Sequence, residues 1–103
     1  MAPRFQHVSQ DELRERFNRL RYWERLQADE LVALVGVERE VHVDWLPAGT
    51  VSQLVTYYER DLTKVAVVHQ YVRPDGALAA SGLPDPKWVF EDGVIYALER
   101  GGG

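Results

Sequence analysis

The chain has no cysteine. That one absence removes disulfide scaffolds, thiolate zinc sites and thiol nucleophiles together. No apolar run approaches the roughly 18 residues that span a bilayer, so no membrane partner is expected. Met1-Ala2-Pro3-Arg4 lacks the apolar stretch of a secretory leader, which points to a cytoplasmic protein. There is no phosphate-binding glycine loop, no G-x-S-x-G, no H-E-x-x-H and no dinucleotide fingerprint, so neither a cofactor nor a metal is expected. An excess of positive charge is also missing. Twelve Lys and Arg face sixteen Asp and Glu, a net charge of −4, whereas nucleic-acid binders carry a clear basic excess.

What is present is apolar enough to fold. With 46% hydrophobic and 11% aromatic residues in 103 positions, the chain suits one domain that buries about 65% of its unfolded surface. Residues 1–40 hold seven basic and eight acidic groups, and residues 41–103 hold five and eight. The first part is thus dense in charge but nearly neutral, as in a solvated helix laced with ion pairs. The organisation expected is an N-terminal arm over 1–8, a single α+β domain over 9–98 and a flexible Gly-rich tail over 99–103.

Ser9 and Glu12 stand in the S-x-x-E spacing of a capping box, flanked by Val8 and Leu13 at staple positions. Leu13, Phe17 and Leu20 follow on one helical face, with Glu12→Arg16 and Glu15→Arg19 as favourable i,i+4 pairs. A second helix, or the continuation of a bent one, is predicted from about Asp29 to Val35, ending at Gly36. From Val37 the period becomes two. Strands are predicted over Val37–Trp45, Val51–Glu59 and Lys64–Arg73, then a long loop over 74–87. A hairpin of Trp88–Glu91 and Val94–Leu98 closes about Asp92-Gly93. The fold class expected is α+β, an N-terminal helix or helix pair packed on an antiparallel meander of four to five strands.

His69, Tyr71 and Arg73 alternate on one strand face, with Lys87 at the end of the loop. An acid–base group, a phenol and a fixed cation in one row could hold and cleave a phosphodiester without metal. Glu40, His42 and Asp44 form a second row, of the type that chelates a divalent ion. An exposed polar sheet face is the preferred reading of this row, so no metal site is assigned to it. Arg14, Asn18, Arg21 and Arg25 share a helical stripe suited to an acidic partner or a phosphate backbone. The helical segments, the meander and the residues His69, Tyr71, Arg73 and Lys87 together resemble the small RelE/ParE-like toxins. That resemblance implies a metal-independent endoribonuclease acting on RNA through those four side chains. The competing reading explains the charge balance. A small acidic domain with the aromatics Tyr57, Tyr58 and Trp88 suits a protein-binding module of the antitoxin, immunity or anti-defence inhibitor type. Its partner would then be basic or associated with nucleic acid. Val51–Tyr58 reads apolar on both sides, which calls for cover from a helix or from a second copy in a homo-oligomer.

Overall fold

The computed structural model describes residues 4–79 and 81–99. Two short helices lie on one face of a six-stranded mixed sheet. The elements run β1 (Arg4–Val8), α1 (Gln10–Arg19), α2 (Tyr22–Gln27), β2 (Leu31–Glu40), β3 (Val51–Glu59), β4 (Lys64–Val72), β5 (Asp85–Glu91) and β6 (Val94–Leu98). The sheet order is β1-β6-β5-β4-β3-β2. Neighbours from β2 to β6 are antiparallel, as a meander requires, while β1 joins the far edge parallel to β6.

Several expectations are corrected. The strand predicted over Val37–Trp45 stops at Glu40, and the last residues of the 74–87 loop, from Asp85, join β5. Arg4–Val8 is a strand rather than an arm, because Val8 has a core to enter and β6 offers a free edge. Leu31–Val35 is the start of β2 rather than a helix. Asp29 takes a left-handed backbone, φ 62, which stops α2. The apolar run Leu31-Val32-Ala33-Leu34-Val35 then satisfies its backbone along β3. Gly36 marks a bulge between Val35 and Val37 rather than a helix end. The tail positions 100–103 lie outside the described residues.

Other signals hold. The Ser9 hydroxyl accepts the Glu12 amide at 3.2 Å. Glu12, however, turns its carboxylate to Arg16 rather than back to Ser9. Arg21 sits left-handed between α1 and α2, φ 57, so the helical stretch is two helices and not one. Asp92 and Gly93 both have positive φ, the backbone of a tight hairpin.

Cross-strand register sorts the side chains into two faces. One row across the sheet runs Gln6, Tyr96, Val89, Ala66, Tyr57 and Ala33. Leu13, Phe17 and Tyr22 of the helices cover it, closing one apolar core with Val55, Val68 and Leu31. Ion pairs fasten the layers. Arg16 and Arg19 meet Glu91 at 2.7 and 2.8 Å, and Arg25 meets Glu59 at 2.9 Å. The Arg16 guanidinium also lies 3.6 Å from the Tyr96 ring centre.

Candidate functional site

The opposite face of the sheet has no covering layer among the described residues. Its central row runs His7, Ala97, Trp88, Val67, Thr56 and Leu34. Flanking rows add Phe5, Ile95 and Phe90, then Val37, Leu54 and His69. None of these side chains is buried. Phe5 is 57% exposed and Leu34 56%. Antiparallel sheets do expose one face to water, but that face is then polar. This one is largely aliphatic and aromatic, with His7, Thr56 and Ser52 among its polar members.

Its charge is one-sided too. Arg39 shares a row with Ser52 and Tyr71, and Lys64 stands 4.5 Å over the Trp88 ring. The strand carboxylates Glu38, Glu59, Asp85 and Glu91 engage Gln53, Arg25, Arg14 and Arg16 on the helix side instead, and Glu40, the last residue of β2, lies 3.9 Å from His42. At one corner of the open face Trp45 packs edge-on to Tyr71 at 5.9 Å, and Tyr71 packs edge-on to His69 at 4.7 Å. The His69 Nε2 lies 2.7 Å from the Ser52 hydroxyl. Burial, and then the positive charge of Lys87, hold the His69 imidazole below its usual range, with Asp85 opposing. His69 therefore stands neutral at pH 7 and can accept a proton.

On the helix side a cleft of about 500 Å³ opens where the helices stop short of the ends of β4 and β5. Phe17 and Trp23 supply its helical wall, and Leu83 and Pro84 supply the facing wall from the 73–84 connection. Segment 69–71 of β4 forms the floor. Arg14 at the rim is tied to Asp85 at 3.0 Å.

The sequence-predicted residues are divided by this geometry. His69 and Tyr71 are brought together. Arg73 is not in their row, because β4 ends at Val72 and Arg73 turns to Asp75 at 3.2 Å. Lys87 is bound to Asp85 and Gln10 at 3.1 and 3.2 Å. Glu40, His42 and Asp44 share no strand face, since β2 ends at Glu40. The arginine stripe is broken at the left-handed Arg21. Arg14 and Asn18 reach the cleft, while Arg25 is held by Glu59 and Glu30. Tyr57, expected as an exposed anchor, is 0% exposed under Phe17. Tyr58 and Trp88 are half-buried on the open face. Val51–Glu59 is an interior strand of the sheet: helices cover Val55 and Tyr57, and Leu54 remains exposed.

Sequence reasoning missed Phe5, Leu34, Trp45, Gln53 and Gln70. The signal for the first three was an apolar residue on both sides of a strand or in a turn. For the glutamines there was no local signal, because their meaning comes from cross-strand register. No family model, no curated protein and no solved structure matches this chain.

Proposed function

We propose that this chain is a protein-binding module whose partner docks on the open face of the sheet. The observation that carries this reading is the largely apolar and aromatic row from His7 to Leu34, interrupted by Thr56, with no layer of the described residues above it. Surfaces of this composition hold partners through buried aromatic anchors, and Trp45, Trp88 and Phe5 are the anchors available. The acidic excess that favours a basic partner lies on the helix side and in loops. Among the described residues the open face itself presents Arg39 and Lys64, and Asp85, the register partner of His69, has its carboxylate tied to Arg14 and Lys87. Two copies laid face to face would therefore oppose like charges, which favours a different protein as the occupant. The surface that fits is apolar at its centre and carries carboxylates at its rim.

The partner retained by the immobilised chain is to be purified and titrated into the free chain by calorimetry. Leu34→Glu and Trp45→Ala are expected to weaken the complex at least about tenfold. Asp11→Ala and Glu15→Ala, on the outer helix surface, are expected to leave it unchanged. A complex lost only in the helix variants, or a chain for which no partner survives purification, overturns the reading. The alternative, a metal-independent ribonuclease, predicts RNA cleavage that resists EDTA and disappears in His69→Ala. Support for it is narrower: His69 is neutral and adjacent to Tyr71, but Arg73 and Lys87 are engaged elsewhere.

A further inference from the structure

We infer that the cleft between the helices and the 73–84 connection is a binding site for an uncharged, flat heterocycle of the nucleobase or nucleoside class. In this site the ligand donates an N–H to the Gln70 side-chain carbonyl. Recognition in the cleft does not draw on the open sheet face, although His69 and Tyr71 at the corner of that face also line the cleft.

Three properties of the cleft select that chemistry. Its volume, about 500 Å³, lies within the range of small-molecule sites. Its ionic groups do not select an anion: Arg14 is tied to Asp85 at 3.0 Å, Asp85 is also held by Lys87 at 3.1 Å from outside the lining, and Glu24 is the remaining carboxylate of the wall. Its walls are apolar and partly aromatic, with Phe17 and Trp23 facing Leu83 and Pro84, which suits a flat ligand.

The hydrogen-bonding groups are specified by a relay that begins on the far edge of the sheet. A carboxylate can only accept, so Glu38 fixes the Gln53 amide with its NH2 group donating, at 2.7 Å. The Gln53 carbonyl is then left to accept, and it takes the Gln70 NH2 group at 2.9 Å. Gln70 is thereby oriented with its carbonyl oxygen as the free end of the chain, on a residue that lines the cleft. Among the described residues, that carbonyl, the Asn18 amide and the Trp23 indole N–H have no hydrogen-bonding partner. An acceptor, a donor and an amide that can do either match the alternating donor and acceptor edge of a nucleobase. Asn18 is exposed at the rim, and Trp23 and Gln70 are half-buried. A purely apolar ligand would take these groups from water without a partner, at a cost of about 1–3 kcal/mol for each one it covers. Glu38 is a positioning residue in this arrangement, since it touches no ligand and sets which atom of Gln70 is offered.

The test uses the full chain and the four ribonucleosides, each titrated at up to millimolar concentration against amide and indole proton–nitrogen spectra. At least one nucleoside is expected to shift the Trp23 indole signal, assigned with Trp23→Phe, together with the Asn18 and Gln70 side-chain signals. Asn18→Ala and Gln70→Leu are each expected to weaken binding roughly tenfold. Glu38→Ala, at an exposed position, is expected to weaken it several-fold while leaving the melting temperature unchanged. Rescue by Glu38→Asp supports the relay. No shift with any nucleoside overturns the inference, as do shifts confined to the open sheet face. Equal shifts from benzene, or affinity that is indifferent to Gln70→Leu and Glu38→Ala alike, also overturn it.

Discussion

At the scale of single residues, the informative groups are those whose surroundings disagree with their chemistry. Tyr57 is fully buried, and its hydroxyl has no partner among the described residues. Burial alone pushes its phenol up from the ordinary value. Removing a buried, unsatisfied oxygen removes a desolvation cost. Tyr57→Phe is therefore expected to be neutral or to stabilise by up to about 1 kcal/mol in urea denaturation, whereas Tyr57→Ala costs about 3–5 kcal/mol through the cavity it leaves. A Tyr57→Phe variant that loses more than about 1 kcal/mol would show that the hydroxyl is satisfied. Glu91 is the opposite case. Hydrogen bonds from Arg19 and then Arg16, working against partial burial, lower its carboxyl below the usual carboxylate range. Because the folded value lies below the unfolded one, the stabilisation is complete above about pH 4.3 and is lost as pH falls through the lowered folded value. Glu91→Gln leaves two arginines facing each other without their shared anion. It is expected to cost about 2 kcal/mol at pH 7, and to flatten the acid limb of a stability–pH curve. An unchanged acid limb would assign acid unfolding to other carboxylates.

At the scale of elements, helix starts and hairpin turns were legible because they are written in adjacent residues. Ser9 caps α1 as its spacing predicts, and Asp92-Gly93 forms the turn expected of that pair. Ser9→Ala is expected to cost about 1 kcal/mol, measured as a lower denaturant midpoint with an unchanged slope. A loss below a few tenths of a kcal/mol would mean that water serves the Glu12 amide equally well. The N-terminal half of β2 was misread because a short apolar run with alanine and leucine fits a helix as well as a buried strand. The decision came from outside the run: left-handed Asp29 stops the helix, and β3 offers nine residues of backbone to pair with. The parallel β1 was illegible for a related reason. Arg4–Val8 has no turn joining it to β6, and its partner lies at the other end of the chain.

At the scale of the molecule, the shape states the functional question. The principal extents are 45 × 37 × 22 Å. The shortest fits a sheet and one helix layer, each about 10 Å deep, and a third layer would add a further ~10 Å. Hydrophobicity alone did not reveal this. An apolar residue on either side of a strand reads as core, and only the placement of both helices on one face distinguishes Val55 from Leu54. Candidate chemistry was legible in part: His69 and Tyr71 do adjoin, but Arg73 drops out where β4 ends. The consequence can be measured on two adjacent residues of β3. Val55 is buried under the helices and Leu54 is 39% exposed opposite His69. Val55→Ala is expected to cost about 2 kcal/mol by leaving a cavity in packed surroundings. Leu54→Ala should cost less than about 1 kcal/mol, since little packing surrounds it to be lost. For partner affinity the order should reverse, with Leu54→Ala weakening the complex and Val55→Ala, compared well below its unfolding transition, leaving it intact. Equal stability losses at the two positions would mean that something already covers the open face in the free protein, and that the sheet is buried on both sides.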